Sequence, residues 1–226
     1  LASRAGLRTA AGLRYLRIIR IAVHPVLQGR MLGSELLRQL VEHGRQQHMD
    51  FIGSSFGATE ELLNFWYRAG LRPLRLGMRR EASSGAHSVL LLKPLSEPGK
   101  TLYEDARQRF SRQFPLQLAE PLADLDPSVA VALLATTRQA ELPVEEVQEL
   151  RIFAQAGRDY ADSLHVLRGL ALAECALGRL SVADRKLLTI KILQGRSWQQ
   201  SARLAGLSGR KQVLERLRRV VRICLA

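Results

Sequence analysis

The stretch "RIIRIAVHPVLQGRMLGSELLRQLVEHG", Arg17 to Gly44, decides how the rest of the chain is read. Its first part, with the β-branched run Ile18 to Val23, reads as a strand from Leu16 to Val23. A short turn holding His24, Pro25, Gln28 and Gly29 follows. From Gly33 to His48 the residues Leu36, Leu37, Leu40 and Val41 then share one face of a predicted helix. A strand entering a helix across a basic, glycine-bearing turn is a common way to hold a phosphate. The first N–H groups of the helix have no partner within it, and its dipole favours an anion there. Many such turns bind nothing, so the neighbouring sequence has to decide.

Outward from that stretch, Phe51 to Ser55 reads as a second strand. The segment from Thr59 to Ala69 reads as a helix capped by Thr59, with Glu61 in its first turn and Gly70 just past its end. The stretches "LRPLRLGM" (71–78) and "HSVLLLKPL" (87–95) read as two more strands separated by the polar "RREASSGA" (79–86). This order predicts an α/β layer with a mixed sheet and flanking helices. At "KPLSEPGK" (93–100) two prolines and a glycine mark a boundary, and only helical patterns follow. The predicted helices are Leu102 to Phe114, Ser128 to Thr136, Val144 to Ala156, Ala161 to Leu177, Val182 to Gln194, Ser197 to Ala205 and Ser208 to Cys224. The reading is therefore of two domains, 1–99 and 100–226, the second all-α and basic.

Composition narrows the function classes. Lys and Arg number 34 against 21 Asp and Glu, giving a formal charge of +13. Arginine forks match phosphate geometry, so a polyanion such as nucleic acid is the expected partner, with a merely solubilising basic surface as the alternative. Cys175 and Cys224 have neither CxxC spacing nor a histidine partner, which argues against a metal site or a disulfide framework. No apolar run approaches the ~20 residues of a membrane span, and no export signal opens the sequence. A cytoplasmic protein is expected. The start at Leu1 rather than methionine suggests part of a longer polypeptide.

Four stretches carry a family resemblance: "RIAVHPVLQGRMLGSELL" (20–37), "SSFGATEELLNFWYRAGLRPLRLG" (54–77), "REASSGAHSVLLLKPL" (80–95) and "LSGRK" (207–211). Together they resemble the GNAT family of N-acetyltransferases, and within it the C-terminal part of the tRNA(Met) cytidine acetyltransferases. The resemblance implies acetyl-CoA as cofactor, with its pyrophosphate on the backbone amides of Gln28, Gly29, Arg30, Met31, Leu32, Gly33 and Ser34. It implies pantetheine pairing with the backbone of Ile21, Ala22 and Val23, and further cofactor contacts from Glu61 and Arg68. Met31 departs from the pattern, standing where the first motif glycine belongs. A Cβ there is expected either to hinder the approach of the cofactor or to require an ordinary φ, weakening binding at most. The resemblance also implies an ATP-driven, helicase-like region ahead of the acetyltransferase, and these 226 residues hold no GxxxxGK[ST] loop.

Acetylating cytidine N4 requires positioning a poorly nucleophilic amine and removing one proton. The resemblance points to His24 of "VHP" as general base and to Arg80 as a second catalytic residue that orients a substrate phosphate or polarises the base. His87 and Tyr67 stand in reserve, while Phe65 and Trp66, at helical spacing with Leu62, read as core. The tail "SWQQSARLAGLSGRKQVLERLRRVVR" reads as helix, glycine turn, helix, loosely like a helix-turn-helix, with Val213 one residue late for that motif. Arg203, Arg210, Lys211, Arg218 and Arg219, together with Arg79 in the first domain, are the expected tRNA contacts. Two other readings stay open: a protein or small-amine acetyltransferase, and a nucleic-acid-binding module with a vestigial acetyl-CoA site.

Overall fold

A computed structural model describes residues 8–82, 84–137 and 142–226, so Ser83 of the "REASSG" stretch and the first seven residues lie outside the described residues. The chain forms two compact units, one ending at Phe110 and the other beginning at Ser111. In the first, four strands make one mixed sheet: β1 (Tyr15–Arg17), β2 (Phe51–Gly57), β3 (Arg72–Arg80) and β4 (His87–Pro94), in the order β1-β2-β4-β3. The β1–β2 pair is parallel, while β4 runs antiparallel to both β2 and β3. Helix α1 (Leu32–Gln46) joins β1 to β2, and α2 (Glu60–Arg68) joins β2 to β3. This is the α/β layer the sequence predicts.

Both faces of the sheet are covered, which explains why β2 and β4 lack strict alternation. Phe51 and Ile52 point to opposite faces yet are both fully buried. On one face Phe51, Leu74 and Leu92 pack with Ala10 and with Leu102 and Ala106 of α3 (Glu97–Gln117). The proline–glycine stretch read as a boundary, with the next helix expected from Leu102, opens α3 at Glu97. Ser96 accepts from the Gly99 N–H at 3.1 Å and donates to Asp50, and a proline in the first turn removes no helical hydrogen bond.

In the second unit, α4 (Pro127–Leu134) is buried on every side from Val129 to Leu134, as its uniformly apolar sequence requires. The helices that follow are α5 (Val144–Ala154), α6 (Leu164–Leu177), α7 (Val182–Leu188), α8 (Trp198–Ala205) and α9 (Arg210–Leu225), of which α6 and α7 pack on α4. The single helix predicted from Val182 to Gln194 instead passes into a π-turn at Thr189–Leu193, where Thr189 donates back to the Arg185 carbonyl at 2.9 Å. Burial pushes the thiol of Cys175 up to about 11 and that of Cys224 up to about 12, so both stay protonated at neutral pH. Among the described residues no helix is long and apolar enough to cross a membrane.

Asp184 ties α7 to α9. Its carboxylate accepts from Arg216 Nε at 2.7 Å and from the Ser181 hydroxyl at 2.7 Å. Burial works against the charge, but these hydrogen bonds and the Arg216 and Arg219 charges prevail and hold the pKa below the ordinary 3.8. A depressed carboxylate pKa stabilises the fold above the unfolded-state value and ceases to do so as pH falls through the folded-state value. Asp184→Asn is accordingly expected to cost about 1–3 kcal/mol at pH 7, with the deficit shrinking below pH ~4, in urea unfolding curves recorded across pH.

Candidate active site and basic helical surface

The parallel ladder between β1 and β2 ends early. The Ile18 N–H donates to the Gly53 carbonyl at 2.8 Å, and the Ile18 carbonyl is taken by the Ser54 hydroxyl at 2.9 Å. The strand expected to reach Val23 therefore stops at Arg17, and the chain departs from β2 after Ile18 while β2 runs on to Gly57. Among the described residues, the backbone of Ile21, Ala22 and Val23 has one hydrogen bond, from Gln28 Nε2 to the Val23 carbonyl at 3.1 Å.

His24 caps the 3-10 turn Pro25–Leu27, its Nδ1 accepting from the Val26 N–H at 3.4 Å. Met31 then caps α1 with φ +62 and ψ 4, a left-handed backbone. The ordinary φ expected of a non-glycine residue is thus not adopted. Aligning the amides of α1 fixes the backbone, and the side chain, 76 % exposed, is part of the cleft lining. The first helical bond runs from the Glu35 N–H to the Met31 carbonyl at 3.0 Å, which leaves the N–H groups of Leu32, Gly33 and Ser34 without acceptors among the described residues.

Gly33 is buried, and a Cβ on it would lie 3.1 Å from the Phe65 ring and 3.6 Å from Val23. Its bareness lets α1, α2 and the departing chain approach closely. Phe65 is held by an edge contact to Trp66 at 5.4 Å, and Trp66 stacks on Phe56 at 5.8 Å. Thr59 caps α2 by accepting from the Leu62 N–H at 3.3 Å. Glu61, Phe65 and Arg68, spaced four and three residues apart, then fall on one face of that helix.

These elements enclose a cleft of about 630 Å³, within the range of small-molecule sites. Its lining contains Ile21, Ala22, Val23, Gln28, Gly29, Met31, Leu32, Gly33, Ser34, Glu61 and Arg68, eleven of the twelve residues expected to meet a cofactor. The exception is Arg30, which is exposed and outside the lining. Leu27, Leu62 and Phe65 also line the cleft and were missed by the sequence reading. Phe65, read as core, is only half-buried, and its i, i+4, i+7 relation to Glu61 and Arg68 was the available signal.

The expected catalytic pair does not line the cleft. His24 follows directly on Val23, which does. Arg80 Nη1 donates to the Gly85 carbonyl at 2.9 Å, closing the β3–β4 loop, with the exposed Arg79 beside it. His87 is buried with Nδ1 2.8 Å from the Gly77 carbonyl, and the Tyr67 carbonyl and ring both hold Arg72, so both are structural.

In the second unit, α9 buries Val213, Leu217, Val220 and Val221 and turns Lys211 and Arg219 outward. Arg203 and Arg210 are exposed as well, and Arg210 lies over the Trp198 ring at 5.1 Å. Trp198 also receives Lys191 Nζ at 4.5 Å, giving a basic, aromatic corner that the sequence reading passed over. Arg218 differs from the rest of the expected set: it is half-buried over Phe153 at 5.5 Å, with a shielded Nε.

Family models match both units' sequences: GNAT acetyltransferase 2 over residues 34–96, and tRNA-binding domain over residues 99–226. The tRNA(Met) cytidine acetyltransferase TmcA of Nitrosococcus halophilus is 42% identical over 98% of this chain. The chain belongs to the tRNA-binding domain family, whose model covers more than half of it. TmcA of Vibrio cholerae is 34% identical over 96% of the chain, and TmcA of Thermofilum pendens 34% over 87%. The chain spans 31%, 30% and 25% of the length of these three relatives, respectively, so it corresponds to less than a third of each.

The left-handed residue gives a test of how tightly the cleft mouth is specified. Met31→Val, which places a β-branched side chain at φ +62, is expected to destabilise by about 1–2 kcal/mol. Met31→Gly is expected to be within about 1 kcal/mol of the parent or above it, because relief of strain is offset by the extra freedom of the unfolded chain. Chemical denaturation of the two variants measures both.

Proposed function

We propose that the chain binds acetyl-CoA in the cleft and serves acetyl transfer to N4 of a cytidine in tRNA held by the basic helical half, acting in the cytoplasm. By the family resemblance, the target is the wobble cytidine of elongator tRNA(Met). The observation that carries the proposal is the convergence of eleven expected cofactor residues on one cleft into which unpartnered amides project. A diphosphate suits the N–H groups of Leu32, Gly33 and Ser34 and the positive end of α1. The bare Gly33 lets Phe65 and Val23 close in beside those amides, and the free edge of Ile21–Val23 suits the amides of pantetheine. Acetyl-CoA, when bound, supplies the acetyl group as an activated thioester.

The chain's own groups have the remaining tasks. His24 takes the amine proton on Nδ1, giving up its long 3.4 Å bond from Val26, while Nε2 keeps its hydrogen. Arg80 acts by position, bracing the loop around Gly85 so that the neighbouring Arg79 meets an RNA phosphate. Lys211, Arg219, Arg203 and Arg210 grip the tRNA backbone. The division of labour follows the sequence domains, 1–99 for cofactor and 100–226 for tRNA. ATP use belongs to a helicase-like region outside these 226 residues. The cleft keeps about 630 Å³ with Met31 in its lining, which speaks against a vestigial, blocked site.

Isothermal titration is expected to give saturable acetyl-CoA binding. Gly33→Leu, which drives the Phe65 ring into the cleft, should weaken it at least ~10-fold with circular dichroism unchanged. With labelled acetyl-CoA and tRNA, the isolated chain is expected to modify slowly, with label on cytidine N4. His24→Asn should slow that labelling about 100-fold at unchanged cofactor affinity. Label found on protein instead of RNA, or no binding at all, overturns the proposal. Charge reversal of Lys211 and Arg219 is expected to weaken tRNA binding and reduce its salt slope by about 2, read from affinities at several salt concentrations.

A further inference from the structure

Beside the cofactor cleft lies a second cavity, of about 380 Å³, bounded by α1, the end of α2 and β4. It shares Ser34 and Arg68 with the cleft, so the two adjoin at the first turn of α1. Arg38 and Arg45 continue along the same face of α1, about 6 and 16 Å along the helix axis from Ser34. Lys93 enters from β4, and Glu42 is the one carboxylate in the lining.

The charges there are unbalanced. Glu35, outside the lining, holds Arg38 through contacts of 2.6 and 2.8 Å, and Glu42 lies 3.6 Å from Arg45. Arg68 and Lys93 have no carboxylate partner among the described residues. Lys93 instead donates to the Ala69 carbonyl at 3.0 Å, just past the end of α2. Its pKa is lowered, first by burial and then by the nearby Arg45 and Arg72 charges. A half-buried ammonium pressed by two guanidiniums is a site whose charge an anion would relieve.

We infer that this cavity is the subsite for the 3′-phosphate of coenzyme A, with Lys93, Arg45 and Arg38 as its binding groups alongside Arg68. The inference rests on the cofactor occupying the cleft as proposed above. A coenzyme whose diphosphate sits on the amides of Leu32 to Ser34 has its phosphomonoester one ribose away, and the adjoining cavity is the cationic space within that reach. A phosphomonoester carries nearly two negative charges at neutral pH, whereas each phosphodiester of an RNA backbone carries one. Arg68 and Lys93, which no described carboxylate neutralises, together match the monoester better.

The test is calorimetric titration of acetyl-CoA and of 3′-dephospho-acetyl-CoA at one ionic strength, into the parent chain, Lys93→Met and Arg45→Gln. Lys93 is half-buried, so Arg45→Gln, a change at an exposed side chain, keeps the test sound if the first variant misfolds. The parent is expected to favour acetyl-CoA by at least ~10-fold, as for hydrogen bonds to a charged group. Each folded variant should lose at least about threefold of that preference, with affinity for the dephospho compound changed less than about twofold. Equal affinity of the parent for both compounds overturns the subsite while leaving the cleft reading intact. Failure of both compounds to bind overturns the cleft reading and the subsite with it. Variants that weaken both compounds equally show a structural role and also overturn it. Loss of tRNA affinity in Arg45→Gln with the preference intact assigns the phosphate to RNA and overturns it too.

Discussion

The early end of the ladder between β1 and β2 is the constraint on which the candidate site depends. Ser54 takes the Ile18 carbonyl with its side chain, and from that point the chain is free to leave the sheet edge. A parallel neighbour continuing to Val23 would close the cleft and consume the very backbone groups that line it. Because it does not, donors and acceptors of Ile21 to Val23 and the first amides of α1 face a common space. Unpaired backbone groups are costly when shielded from water, about 1–3 kcal/mol each, so such a space is stable only when wet or filled by a polar ligand.

Two contacts hold that opening in shape. Phe65 rests against Gly33, and Phe65 is itself positioned by Trp66 and Phe56 behind it. Any side chain at Gly33 would have to move that aromatic group. Met31 shows the opposite economy: its backbone adopts the conformation a glycine would take, and its side chain is discharged to solvent. The departure from the family motif is thus absorbed locally, in strain of about 1–2 kcal/mol, and does not reach the amides.

Much of this was legible in the sequence, and the failures have physical causes. The α/β order, the Thr59 cap and the buried α4 follow from period and capping chemistry, which are local. The end of the strand at Arg17 was invisible because β-branched residues favour extended backbone whether or not a partner strand is present. The helix expected from Leu102 begins at Glu97, because proline in a first helical turn and proline in a loop look alike without knowing that Ser96 caps. The cleft residues came through the family resemblance, since no periodicity links residues 21–34 to 61 and 68. Leu62 and Phe65 were lost because an apolar residue facing a cleft has the same signature as one facing a core. Arg218 looked like its exposed neighbours because charge alone does not say which arginine lies flat on a phenylalanine.

The central claim is that main-chain amides at the start of α1 hold the diphosphate of the cofactor. Proton–nitrogen correlation spectra of the nitrogen-15-labelled chain, recorded during an acetyl-CoA titration, address it atom by atom. The amide protons of Leu32, Gly33 and Ser34 should move downfield together and saturate with one affinity, as hydrogen bonding to an anion requires. Saturable shifts confined to other amides, with these three unmoved, would contradict the account.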